Sequence, residues 1–247
     1  MYTPCHLGPA QARIVVLGRG PLSQVQLHHS GHRLQLDAER QRLTDQACER
    51  LRQRGQIVTA DPIYRVESWH TGEQFALRVG LGDYAQVVGT KAHPEWDLKS
   101  NVLALCCILQ CPDGIILERR SQKVAALPGA WHVAPAGSLS PPNTPYQTLL
   151  AEAHEEMALE PVELFDLQCL GMCYGEDSGV YQLICSAQTP VPLAQILSRP
   201  RSGAWEQDGL LCAPSEPQAL DNWIQEHGQR LTPAAQSALW VRLNPQA

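Results

Sequence analysis

The stretch "NTPYQTLLAEAHEEMALE", residues 143–160, decides how this chain is read. Thr144 suits an N-cap, Pro145 suits the first helical position, and Gln147 completes a Thr-x-x-Gln capping box. Tyr146, Leu149, Leu150, Ala153 and Met157 recur at helical spacing and make a single apolar stripe. The spacing predicts a helix. Glu152, Glu155 and Glu156 fall largely off that stripe and, three and four residues apart, crowd together on one face. They also occupy the C-terminal half, where the macrodipole disfavours negative charge. As a solvated acidic face this costs only about 0.2–0.5 kcal/mol per like-charged pair, so the helix alone does not demand a function.

Its surroundings do. The loop "ALPGAWHVAPAGSL" (126–139) brings a sharp, Gly-containing turn just ahead of the helix, where backbone carbonyls can join carboxylates around a hard cation. Mg²⁺ takes oxygen ligands and typically binds through one or two carboxylates together with substrate phosphates. Upstream, "LERRSQK" (117–123) supplies Arg119, Arg120 and Lys123, a dense basic cluster, and Arg forks match phosphate oxygens bidentately. An acidic metal site beside a basic cluster is what a diphosphate substrate requires.

Working outward, "NVLALCCILQ" and "IILERR" around the turn "CPDG" predict a hairpin of a buried sheet, and "LQCLGMCYG" and "VYQLICSAQ" predict a strand pair around "EDSG". Two C-terminal helices follow, the last capped by Thr232 with Pro233 at its first position. Strands on both sides of one helix indicate an α+β layered domain. Before it, "ARIVVLG" and "QVQLHHSGHRLQL" read as strands, with "HHSGH" as a polar hairpin turn in preference to a histidine metal cluster. Residues 37–54 read as a helix capped by Asp37 and stopped by Gly55. "IYRVESWH" and "QFALRVGL" read as a strand pair, and "AHPEWDLKS" as a linker. The expected division is an N-terminal α+β domain over 1–98 and a second domain over 99–247.

The 247 residues, 44% hydrophobic and 18% charged, describe an ordinary globular protein. A net charge of −6 argues against a nucleic-acid partner. No apolar run reaches the ~18 residues of a membrane span, so no membrane partner is expected. The opening "MYTPCHLGPAQAR" lacks the pattern of a signal peptide, which points to a cytoplasmic, reducing setting for the nine cysteines. Those within apolar runs read as small hydrophobes.

At this level of detail the chain resembles the Nudix family, whose box reads G-x5-E-x7-R-E-U-x-E-E-x-G-U. Gly137 takes the opening glycine, Ala151 and Glu152 the Arg-Glu pair, Ala153 the aliphatic position, Glu155 and Glu156 the Glu-Glu pair, and Leu159 the closing aliphatic residue. All spacings hold. Asn143, Ala151 and Ala158 depart from the pattern. The first two replace a glutamate and an arginine that commonly pair, so losing both strands neither charge. "LGDYAQVVGT", "LERRSQKVAALPG" and "LTPAAQSALWVRL" are similar to the branch that hydrolyses UDP-glucose.

The resemblance implies an α/β/α sandwich with a mixed sheet, and Mg²⁺ (or Mn²⁺) held by Glu152, Glu155, Glu156 and the carbonyl of Ala136. It implies cleavage of a nucleotide sugar, a small-molecule partner, into UMP and sugar 1-phosphate. Arg119, Arg120 and Lys123 are the expected phosphate contacts, and Tyr84 and Lys91 the expected contacts to sugar or uridine. Glu176 in "GEDSG" holds a position where some Nudix enzymes place a catalytic carboxylate. The alternatives are a Nudix enzyme for ADP-ribose, dinucleotides or coenzyme A, and a nucleotide-sensing module without turnover.

Overall fold

The computed structural model describes residues 12–59, 61–72 and 74–244, with the side chain at 204 left aside. The opening stretch read for a signal peptide, and Cys5 within it, therefore lies outside the described residues up to position 11. Strands β1 (Ala12–Pro21) and β2 (Gln26–Arg33) lead to helix α1 (Ala38–Gln53), whose N-cap Asp37 accepts from the Arg40 amide. Strands β3 (Pro62–Thr71) and β4 (Phe75–Asp83) pair antiparallel, and helix α2 (Tyr84–Ala92) follows directly. Next come β5 (Val102–Cys111), β6 (Gly114–Arg120), β7 (Trp131–Val133), β8 (Ala136–Ser138) and helix α3 (Pro145–Met157). The chain continues through β9 (Phe165–Gly175), β10 (Val180–Gln188), α4 (Leu193–Ser198), β11 (Gln207–Ala213), α5 (Pro217–His227) and α6 (Pro233–Leu243).

The strands form one mixed sheet in the order β1-β9-β10-β5-β3-β4-β2, from which β8, β6, β7 and β11 branch beside β5. β10 runs parallel to β5 and β2 parallel to β4, while the other pairs are antiparallel. The class is α+β. β5 explains the layering, because its unbroken apolar run is buried on both faces. Leu103, Leu105, Cys107 and Leu109 join Leu149, Ala153 and Met157 of α3 in one core. Cys106 and Ile108 point the other way, into a second core with Leu220 and Ile224 of α5 and Ala235, Ala238 and Leu239 of α6. Helices thus cover both faces of the central sheet.

β1 lies before the expected boundary near residue 98 and pairs with β9 well beyond it. A single Arg65–Val102 pairing joins β3 to β5. One local expectation is corrected. "HHSGH" is not a hairpin turn: it lies inside β2, where four steps from His29 to Arg33 match two from Val79 to Leu81. The surplus residues bulge around Gly31, whose φ is 77°. The segment "YAQVVGTKA" is helical because Asp83 and Gln86 close a reciprocal capping box. Gly89 within it is needed, since a Cβ there would overlap the buried Thr44 of α1.

Eight cysteines are described and all are free thiols, seven of them buried. No helix among the described residues is long and apolar enough to cross a membrane.

Candidate active site

Helix α3 forms as its sequence dictates. Thr144 accepts from the Gln147 amide at 3.2 Å, and the Gln147 side chain accepts from the Thr144 amide at 2.9 Å. The helix ends on Ala158 in the left-handed conformation (φ 52°, ψ 38°), the position where the box pattern has glycine. The loop before β11 completes that end. The Gly203 amide donates to the Glu155 carbonyl at 2.8 Å, and Gln207 Nε2 donates to the Glu156 carbonyl at 2.9 Å. Arg199 Nη1 donates to the Ala158 carbonyl at 2.8 Å while its guanidinium grips Glu163 with two bonds of 2.7 Å. Carbonyls that a helix terminus leaves unsatisfied are thereby satisfied.

The stripe packs into the core and turns the glutamates toward the β6–β8 region. Glu156 is 2% exposed, and its Oε2 accepts from the Ala136 amide at 3.2 Å. Within a strand the N–H and C=O of one residue face the same edge, so the Ala136 carbonyl also faces α3. Glu152 lies directly against Gly137, where any Cβ would overlap its carboxyl. Glycine at 137 is the condition for that carboxyl to sit there. Glu155, the third member, is exposed.

Two further carboxylates enter the cluster. On β6, Ile116 faces the α3 core and Leu117 the opposite core, so by strand alternation Glu118 and Arg120 share the α3 face. Glu118 is 2% exposed and its Oε1 meets Arg120 Nη1 at 3.5 Å, while its Oε2 is buried without a hydrogen-bond partner. Glu206 comes from the turn Ala204–Glu206 that precedes β11. Burial, reinforced by the charges of Glu206, Glu155 and Glu118, lifts the Glu152 carboxyl to about 8. Burial and the charges of Glu118, Glu152 and Glu206 hold Glu156 well above the ordinary carboxylate range, against a small opposing pull from the Ala136 amide. Burial raises Glu118 to about 7 although Arg120 pulls it down, and it also raises Glu206. Four carboxyls that hinder one another's ionisation make a basin in search of positive charge.

Hard oxygen donors, one of them buried and unpartnered, fit a divalent cation such as Mg²⁺. Among the described residues no group of three or more His, Cys, Asp or Glu side chains stands together so that it could hold a metal ion.

The expected substrate contacts divide. Arg120 stands at the basin, its Nε donating to the Ala126 carbonyl at 2.9 Å. Tyr84, at the first position of α2, packs against the apolar clusters around Ala47 and Val88 and around Ile63 and Val87, and burial raises its phenol, with smaller effects from the charges of Arg120 and Glu206. Arg119 falls on the opposite face of β6, 3.8 Å from Asp208. Lys123 is exposed, its carbonyl accepting from the Ile57 amide. Lys91 is exposed in the last turn of α2, seven residues or about 10 Å of helix from Tyr84.

Glu176 pairs with Arg13 at 2.6 Å in the β9–β10 turn. That turn adjoins Val180, which pairs with Val102, whereas Ala136 pairs with Cys106 four residues further along β5. The separation is about 13 Å of strand, so the structure does not bring Glu176 to the α3 glutamates.

Glu118 and Glu206 were missed by sequence reasoning. For Glu118 a signal existed: in "IILERR" it continues the alternation of Ile116 on a strand buried on both faces. For Glu206, in the irregular "GAWEQDG", there was none.

No protein-family model matches the chain, and no curated protein does. Solved structures do. The MutT protein from Methanosarcina mazei Go1 is 16% identical with a TM-score of 0.41, over 58% of this chain and 93% of that one. A NUDIX-family hydrolase from Clostridium perfringens is 13% identical with a TM-score of 0.41, over 59% and 97%. The Ap4A hydrolase of C. elegans, in a binary complex, is 16% identical with a TM-score of 0.38, over 56% and 92%. These are loose likenesses, and the chemistry is read from the side chains themselves.

Proposed function

We propose that this chain is a Nudix-type hydrolase that cleaves the pyrophosphate of a UDP-sugar, with UDP-glucose giving UMP and glucose 1-phosphate. The observation that carries this reading is geometric: Glu156 accepts from the Ala136 amide, Glu152 lies against Gly137, and Glu118, beside Arg120 on the strand face toward α3, is buried with one oxygen unpartnered. Mg²⁺, or Mn²⁺, held there by the α3 glutamates and the Ala136 carbonyl, would polarise phosphoryl oxygens and acidify water. Arg120 neutralises charge on the leaving phosphate, which a fixed guanidinium does without reorganising as the reaction proceeds. Tyr84 offers a phenol edge to the nucleotide from the N-terminal half of the chain. Glu155, the solvent-facing member, is the glutamate placed to pass a proton from attacking water to bulk solvent. The free, buried thiols support a cytoplasmic setting.

The test is product analysis after incubation with UDP-glucose and Mg²⁺, with ADP-ribose in parallel. Cleavage of ADP-ribose alone would keep the chemistry and replace the substrate. Nucleotide binding without cleavage of either would favour a sensing module.

A further inference from the structure

Glu118 has a feature that its neighbours on the sheet do not share. It is the charged residue of an otherwise apolar strand interior, 2% exposed, and only one of its two oxygens is engaged, by Arg120 at 3.5 Å. The other, Oε2, is fully buried and accepts nothing. An unsatisfied buried carboxylate oxygen is destabilising unless a cation or donor meets it. No apolar packing reason places it there, because leucine would fill the same strand position without that penalty. Strand alternation directs it to the α3 face, and its charge acts on both Glu152 and Glu156.

We propose that Glu118 is a metal ligand supplied from the sheet, outside the helix that carries the other glutamates, with Oε2 toward the divalent cation and Oε1 toward Arg120. One carboxylate then links the cation to the arginine, fixing the distance between the two positive groups that a diphosphate must span. The inference rests on the reading of α3 as a cation-binding helix.

Titration of the metal-free protein with Mn²⁺, followed by the electron paramagnetic resonance signal of free Mn²⁺ and without substrate, tests it. Glu118→Gln is the variant, since the amide keeps the shape and still accepts from Arg120. Glu118→Asp, one methylene shorter, serves as the second. Wild type is expected to bind Mn²⁺, Glu118→Gln to bind about tenfold or more weakly, and Glu118→Asp to fall between, with circular dichroism unchanged. Wild-type binding that Glu118→Gln leaves unaltered overturns this ligand and leaves the helix reading standing. Failure of wild type to bind Mn²⁺ overturns both. Should Glu118→Gln unfold, equal binding by wild type and Glu118→Asp would still overturn it, because a ligand oxygen withdrawn by a methylene must weaken the site.

Discussion

Replacing Glu152 with glutamine preserves the shape that lies against Gly137 and removes only the charge. In metal-free protein that charge is unwelcome. The carboxyl is raised from 4.5 to about 8 on folding, so its contribution to stability is fully present below about 4.5 and is lost as pH rises through about 8. At about 1.36 kcal/mol per tenfold change in proton affinity, the lift from 4.5 to about 8 corresponds to about 4–5 kcal/mol. Glu152 retains some exposure, and solvent screening brings this to about 2–4 kcal/mol. At pH 5 the same group opposes folding by less than about 1 kcal/mol. A chain of this length gains about 2–4 °C in Tm per kcal/mol. With a chelator present, Glu152→Gln should therefore melt about 5–15 °C above wild type at pH 8 and within about 3 °C of it at pH 5. Scanning calorimetry from pH 5 to 8.5 measures the difference. A gap that does not widen with pH, or a variant less stable than wild type at pH 8, would refute the buried like-charged cluster.

Other perturbations probe separate links. Ala158→Gly relieves a left-handed alanine and should stabilise by about 0.5–1 kcal/mol, the strain being partly offset by glycine's freer unfolded chain; an unchanged or lowered urea midpoint would contradict it. His132 is held neutral by burial, its pKa lowered to about 3, with Nδ1 2.6 Å from Thr232 Oγ1. Its contribution is present above about 6.5 and lost as pH falls toward 3, so His132→Asn should unfold at lower pH than wild type when followed by fluorescence. Gly137→Ala pushes a methyl into the Glu152 carboxyl, and turnover should drop about 100-fold with the fold intact. Wild-type turnover in that variant would show that Glu152 need not lie against the β8 backbone.

What the sequence disclosed, and what it hid, follows from the range of the interactions involved. Capping is local, so the start of α3 at Thr144-Pro145 was legible, as was α1 from Asp37. Burial on both faces leaves an unbroken apolar run, so β5 was legible as well. The three-residue strands β7 and β8 carry too few residues for a pattern, and they exist because β6 and β5 offer them edges. Box spacing placed Glu152 and Glu156 together because a helix fixes their relation. The rest of the site is tertiary. Arg120 and Arg119 are adjacent in sequence but on opposite faces, and only the strand's pleat decides which one meets the carboxylates. Glu176, in a turn of suitable composition, is drawn instead to Arg13.

The most direct test is chromatography of the products from UDP-glucose and Mg²⁺, run side by side for wild type and Glu156→Gln. Glutamine keeps the acceptor for the Ala136 amide and removes the buried charge. UMP and glucose 1-phosphate from wild type, with at least a ~100-fold loss in a folded Glu156→Gln, is the predicted result. Equal turnover by both proteins would contradict the claim that the carboxylates of α3 make the active site.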